Sequence, residues 1–268
     1  MAAVRNGDAR MLALLAESGK CNLDLLNKNG DAAIHLAADS MKWQCLRILV
    51  MNGADIDLGN RMGVTALLLA AKYKHVESIE FLAARGADLT KAVYIAETDS
   101  YEAPHHVALE YQHLDALAVL VRFGADICMG VFGLRDAVVH VIEKNLLESL
   151  RFLVEEAGCP VNATRLDSGA IYQPALQAVA SDRVEAFAIL AKAGADLDIV
   201  DDVADLAAEH GIAPPSLADV AAARSPGILK LLKEEYGRVP GGLWRVSGRG
   251  KTPKLVPVDD ESPPRGEL

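Results

Sequence analysis

The chain has 268 residues and a formal net charge of -10 at pH 7. Its 51% hydrophobic and 24% charged residues are a globular balance, which excludes a wholly disordered chain, and its acidity argues against sequence-independent nucleic-acid binding. Apolar runs such as 66–71 are far shorter than the ~20 residues of a membrane span, and charged residues interrupt the first twelve positions. We therefore expect neither a membrane-spanning segment nor a classical secretory signal.

The four cysteines, Cys21, Cys45, Cys128 and Cys159, include no Cys-x-x-Cys pair. Their spacing fits neither a zinc framework nor a dense disulfide scaffold. It favours reduced, buried thiols in a cytoplasmic protein. A nuclear location, or a place in a large intracellular assembly, stays open.

One unit recurs along the chain. The triplet Gly-Ala-Asp occupies 53–55, 86–88, 124–126 and 194–196, and related glycines stand at 19, 158 and 237. A glycine after an apolar helical pattern ends a helix, as after 45–50 and 79–82. An alanine-rich segment that predicts a shorter helix precedes most of these glycines by about twenty residues, as at 33–38 and 66–71. Each unit is therefore a turn, a short helix, a loop and a longer helix.

The units depart from this pattern at several places along the chain. The first lacks its opening turn, so residues 2–6 are all of its first helix, and its apolar residues Met1, Val4, Met11 and Leu12 leave an edge that either frays or invites a partner. The fourth carries an insertion, 91–100, in which Val93, Tyr94 and Ile95 either pack on the stack or contact a partner. Later joints are long, at 163–173 and 198–215.

The segments 30–38 and 63–67 resemble the ankyrin repeat pattern Gly-x-Thr-Pro-Leu-His-x-Ala-Ala. The resemblance covers residues 2–237 in about six to seven units. It implies an all-α, ankyrin-like solenoid of helix-turn-helix repeats at 1–237, followed by an irregular C-terminal tail at 238–268. The tail is rich in glycine and proline and holds a basic strip around Trp244. It either caps the last repeat or forms an arm that engages an acidic partner.

In this family the concave surface of turn fingers and first helices binds other proteins, so the resemblance implies a non-catalytic adaptor or scaffold. The alternative is a permanent structural subunit of a large multiprotein assembly, held by the repeat edges and the tail. The acidity of the chain favours a partner with a basic face. No nucleic-acid, membrane or small-molecule partner is expected. The predicted partner-binding residues are Asp39, Arg61, Met62, Lys72, Tyr73, Tyr94, Glu110, Tyr111, Arg135, Lys144, Tyr172 and Trp244.

Three patterns could indicate other chemistry, and we expect none of them to be functional. Adjacent helical residues such as His105 and His106 diverge by about 100°, which disfavours a shared metal. The acidic stretch 196–205 lacks the glycine and glutamate of a calcium loop. Residues 250–252 end like a phosphate-binding loop, but Pro253 opposes the helix that should follow. We therefore expect no catalytic residue, no cofactor and no metal site.

Overall fold

A computed structural model describes residues 1–95, 100–128, 137–162, 164–165, 171–197, 217–236, 244–247 and 254–257. The chain forms two compact units, Met1–Ala137 and Val138–Leu268. The boundary that the sequence suggests at residue 237 falls within the second unit and stays a prediction.

The first unit is built from helix pairs with one short hairpin. Its helices are α1 Ala2–Asn6, α2 Ala9–Glu17, α3 Ala33–Asp39, α4 Trp43–Met51, α5 Ala66–Lys72, α6 Val76–Ala84, α7 Pro104–Glu110 and α8 Leu114–Arg122. Strands β1 (Val93–Ile95) and β2 (Ser100–Glu102) pair antiparallel. The described residues of the second unit contain α9 Ala137–Lys144, α10 Leu147–Arg151, α11 Pro174–Ala180, α12 Val184–Lys192, α13 Leu217–Arg224 and α14 Pro226–Tyr236.

The helices of the first unit stack in two rows. The inner row is α1, α3, α5 and α7, and the outer row is α2, α4, α6 and α8. Small side chains such as Ala37, Ala70 and Ala108 are fully buried in the inner row, which lets neighbouring helices approach closely. Fully buried leucines such as Leu49 and Leu82 fill the space beside the outer row. The predicted helix-turn-helix units are confirmed.

A left-handed residue joins the two helices of each of the first six pairs, from α1–α2 to α11–α12. These residues are Gly7, Met41, Lys74, Gln112, Asn145 and Asp182, with φ between 52° and 71°. The backbone N–H of the next residue donates to the carbonyl five positions before it, as from His113 to Ala108 at 2.8 Å. This hydrogen bond satisfies a carbonyl at the end of the first helix and sets the direction of the second. The recurrence of the motif gives a common register for comparing the repeats.

Gln112→Gly is expected to stabilise the protein by about 0.5–1 kcal/mol, because glycine adopts the left-handed conformation without the cost that a Cβ imposes. Gln112 is exposed, so little packing is lost. Denaturant unfolding measures the change. Gln112→Val is the matched variant and should destabilise the protein, since branching at Cβ makes this conformation worse. Equal unfolding free energies for both variants would contradict this account of the turn.

The fingers between repeats are held by side-chain amides and carboxylates. Asn60 Oδ1 accepts from the N–H groups of Met62 and Val64 at 2.9 and 3.0 Å, and Asn27 makes the same pattern one repeat earlier. Asp57 Oδ1 accepts the N–H of Asp88, 31 residues ahead, at 2.9 Å. These bonds fix each finger to the next one.

The second unit differs from an all-helical stack in three places. Residues Phe152–Glu156 continue α10 as a π-helix. Strands β3 (Thr164–Arg165) and β4 (Ile171–Tyr172) pair across one long joint. Strands β5 (Trp244–Ser247) and β6 (Lys254–Pro257) pair within the tail, and β5 lies beside α13. The tail therefore contains a hairpin whose first strand lies beside α13, and its role as a cap stays a prediction.

The expectation of four reduced, buried cysteines is wrong. Cys128 and Cys159 are disulfide-bonded rather than reduced, and Cys21 is exposed, so that only Cys45 is the buried free thiol expected. At the first unit's edge, Val4 and Leu12 are buried at 0% and 3% exposure, whereas Met11 is 49% exposed.

Among the described residues, no helix is long and apolar enough to cross a membrane.

Candidate functional site

The first-helix ends of successive repeats carry aligned polar and aromatic side chains. Tyr73 and Tyr111 are the C-cap residues of α5 and α7, each directly before the left-handed residue. They are 42% and 56% exposed. Asp39 ends α3 one repeat earlier, and His113 follows the turn after Tyr111. We call Asp39, Tyr73, Tyr111 and His113 the helix-end row.

Hydrogen bonds and stacking orient the members of the helix-end row. Hydrogen bonding with the nearby Asp39 carboxylate is the main cause that raises the pKa of Tyr73 above its ordinary value. The Tyr111 ring stacks on the His113 ring, with centroids 5.7 Å apart and an interplanar angle of 24°. His113 Nδ1 lies 2.9 Å from the carbonyl oxygen of Ala71 and donates to it. Both tyrosines are therefore held in place while exposed.

A second group lies on the fingers. Arg61 and Met62 are exposed at the turn before α5, and Met62 is 50% exposed. Tyr94 and Tyr101 are cross-strand partners in the hairpin of β1 and β2, with ring centroids 5.2 Å apart. They are 48% and 38% exposed. We call Arg61, Met62, Tyr94 and Tyr101 the finger row.

The insertion packs on the stack with one side and faces solvent with the other. Val93 is 6% exposed and belongs to a core cluster with Val64, Leu68 and Val107, against which Ile95 also packs. Tyr94 lies between these two residues in sequence and is exposed, because alternate residues of a strand point to opposite faces. The insertion therefore packs on the stack through Val93 and Ile95, and contact of Tyr94 with a partner stays a prediction.

The remaining predicted partner-binding residues do not belong to the helix-end row or the finger row. Lys72 and Glu110 are half-buried beside the two tyrosines, and Lys144 is exposed at the end of α9. Arg135 lies outside the described residues. Tyr172 and Trp244 are described only as members of strands β4 and β5. The assignment of these residues to partner binding stays a prediction.

Sequence reasoning missed Tyr101 and His113 as site residues. The alternation of Val93-Tyr94-Ile95, followed by Ser100-Tyr101-Glu102, is a weak hairpin signal that could have identified Tyr101. His113 supports Tyr111 by stacking on its ring. Its position directly after the left-handed residue was the available signal.

The described residues contain no cluster of three or more His, Cys, Asp or Glu side chains that could hold a metal ion. Asp196 instead donates its N–H to Asn162 Oδ1 at 2.7 Å, which repeats the finger contact seen at Asp57. The rest of the acidic stretch, 198–205, and residues 250–252 lie outside the described part of the chain.

Comparison with known proteins agrees with this architecture. A family model for ankyrin repeats, in three copies, matches residues 1–93. The structure is similar to the crystal structure of the human ASB11 ankyrin repeat domain, with a TM-score of 0.59 and 21% sequence identity, over 87% of this chain and 96% of that one. No curated protein matches the sequence.

A second similar structure is the ankyrin repeat domain of Bcl-3, described as a unique member of the IkappaB protein family. Its TM-score is 0.69 and its sequence identity 24%, over 86% of this chain and 96% of that one. At these identities the likeness establishes the fold. Ankyrin repeat domains generally mediate protein–protein interaction and are generally non-catalytic. Residues 1–93 thus contain ankyrin repeats by sequence, and the chain shares its fold with ankyrin repeat domains.

Proposed function

We propose that the chain is a non-catalytic adaptor or scaffold that binds a partner protein through the first-helix and finger surface of its first unit. The helix-end row carries this proposal. Its two tyrosines are exposed and already oriented, by Asp39 in one case and His113 in the other. Tyrosine is enriched among residues that dominate binding energy, and a side chain held in place before binding loses little entropy.

The charge of the chain supports a partner with a basic face. At a net charge of -10, electrostatic attraction raises the association rate for such a partner. Asp39 and Glu110 place carboxylates beside the tyrosines, and Arg61 and Lys72 add donors for acidic or carbonyl groups. This mixture of charged groups favours a partner whose contacting surface is polar and carries a few basic side chains over a partner whose surface is purely apolar.

The test is affinity purification of the tagged chain from its native source, followed by quantitative mass spectrometry. Tyr73→Ala/Tyr111→Ala is expected to lose one stoichiometric partner. Phe123→Ala is the matched control, because Phe123 is an exposed aromatic residue at the end of the outer helix α8. Retention of many stoichiometric partners by the double variant would instead support the alternative, a permanent subunit held by its edges and tail.

With the purified partner, Tyr73→Ala/Tyr111→Ala is expected to weaken binding by about 100-fold, because each truncated hot-spot tyrosine costs on the order of 1–2 kcal/mol. Isothermal titration calorimetry measures the change. The free energy of unfolding should change by less than about 1 kcal/mol, since both rings are exposed. A tenfold or smaller loss would show that the helix-end row lies outside the interface.

A further inference from the structure

Five large apolar side chains are exposed together at the beginning of the first unit. Met11, Leu14 and Leu15 of α2 are 49%, 66% and 42% exposed, and Leu25 and Leu26 in the following loop are 60% and 48% exposed. Residues 11, 14 and 15 share one side of α2, because positions three and four apart on a helix are neighbours. We call these five residues the N-terminal face.

Two of these positions are completely buried in the later repeats. Met11 is the fourth residue after the left-handed turn, and Leu15 is the eighth. The equivalents of Met11 are at most 1% exposed: Cys45, Ser78, Ala116, Ser149 and Ala186. The equivalents of Leu15 are all 0% exposed: Leu49, Leu82, Leu120, Leu153 and Leu190. The exposure of Met11 and Leu15 is therefore specific to the first repeat.

The difference follows from the neighbours of each helix. Helices α4 and α6 each pack against an outer helix on both sides, whereas α2 packs extensively against one, α4, within the described residues. The loop leucines show the same asymmetry. Leu25 is 60% exposed, whereas its equivalent in the next repeat, Leu58, is half-buried. The N-terminal face is thus an unpaired copy of the repeat–repeat interface.

We propose that a second copy of this chain covers the N-terminal face in a symmetric dimer. The charges on α2 support this occupant. Arg10 and Glu17 are exposed on the same flank of the apolar residues, near the two ends of α2, because positions seven apart lie on one side of a helix. When two α2 helices pack antiparallel about a two-fold axis near residues 13 and 14, Arg10 of each copy lies beside Glu17 of the other. The face is therefore complementary to itself in charge as well as in hydrophobicity.

The expected dimer is weak. Five large apolar side chains on each side, with two ion pairs across the interface, lie near the lower limit of a stable interface, about 1,200 Å² of total buried surface. We expect a dissociation constant on the order of 10 µM. Sedimentation equilibrium of the full chain should therefore show a rise with concentration from the 28.6 kDa monomer towards twice that mass.

Leu14→Arg tests the face, because Leu14 is its most exposed member and lies near the two-fold axis. The variant is expected to remain monomeric at about 100 µM with an unchanged melting temperature, which circular dichroism checks. Tyr73→Ala/Tyr111→Ala is the control and should dimerise normally. A wild-type chain that stays monomeric at about 100 µM, or a Leu14→Arg variant that still dimerises, would overturn the proposal.

Charge exchange tests the antiparallel arrangement. Arg10→Glu and Glu17→Arg should each weaken self-association at least tenfold, because each places like charges together twice. An equimolar mixture of the two variants should form a heterodimer, since both cross-pairs are then of opposite charge. Failure of the mixture to associate better than either variant alone would overturn this pairing of α2 helices.

Discussion

Replacing His35 with alanine is expected to lower the free energy of unfolding by about 2–4 kcal/mol. His35 is 1% exposed and makes two hydrogen bonds to the backbone. Its Nδ1 accepts the N–H of Ala32 at 3.0 Å, and its Nε2 donates to the carbonyl of Leu58 at 2.9 Å. The ring thereby accepts a backbone N–H group at the start of α3, and its second hydrogen bond connects this helix to the next finger. Truncation leaves a cavity and two unpaired buried groups.

His35→Leu separates the hydrogen bonds from the volume. Leucine fills most of the space but bonds neither Ala32 nor Leu58, so a loss of about 1–3 kcal/mol should remain. Leu68 occupies the equivalent place in the next repeat, where the Thr65 hydroxyl caps the helix instead. Urea unfolding monitored by circular dichroism measures both variants. Full stability of His35→Leu would show that packing alone explains the role of His35.

The contribution of His35 also depends on pH. Burial lowers the pKa of His35 below its ordinary value of 6.5. The unfolded chain therefore binds this proton at a higher pH than the folded one. Stability from neutral His35 is complete above about pH 6.5 and is lost as the pH falls from there towards the folded pKa. The stability difference between wild type and His35→Leu should be smaller at pH 5.5 than at pH 7.5. If wild type and His35→Leu differed more in stability at pH 5.5 than at pH 7.5, the result would contradict a lowered pKa of His35.

Gly30→Ala is expected to destabilise the protein by about 3–4 kcal/mol. Gly30 has a φ of 90°, and its carbonyl accepts the N–H of Arg61 at 2.9 Å. An added Cβ would overlap the Cβ of Arg61, which cannot move away without shifting its own backbone. The substitution therefore combines backbone strain with a steric clash between adjacent fingers.

Gly86→Ala is the matched control for backbone strain. Gly86 has a similar φ of 83°, but nothing lies within 4 Å of an added Cβ. The cost should be about 1 kcal/mol, from the left-handed conformation alone. Thermal unfolding of both variants gives the comparison. Equal losses would show that the approach of Arg61 to Gly30 is not tight in solution.

The helix pairs could be predicted from the sequence because each ends at a glycine that recurs in register. The first helix at 2–6 and the prolines that begin α7 and α11 are confirmed. The alignment of Tyr73 with Tyr111 followed from the same register. The side chains that contact these two tyrosines could not be predicted from the register. Hydrogen bonding with Asp39 and stacking on His113 depend on the three-dimensional distances between side chains.

Other features lay beyond sequence patterns. Strands of two to four residues, such as β3 and β4, are too short for an alternating pattern to stand out. The disulfide state of Cys128 and Cys159 could not be predicted from their spacing in the sequence. The sequence indicated an apolar edge that includes Met11, but not the exposure of Leu14 and Leu15, because the same apolar pattern is buried wherever a neighbouring repeat covers it.

Site-specific photocrosslinking tests the proposed partner-binding surface most directly. A benzophenone amino acid placed at Tyr111 reports on the helix-end row, and the same group at Arg47, exposed on the outer helix α4, reports on the opposite row of helices. We expect the stoichiometric partner to crosslink strongly from position 111 and weakly from position 47. Strong crosslinking from position 47 alone would contradict binding through the first-helix and finger surface.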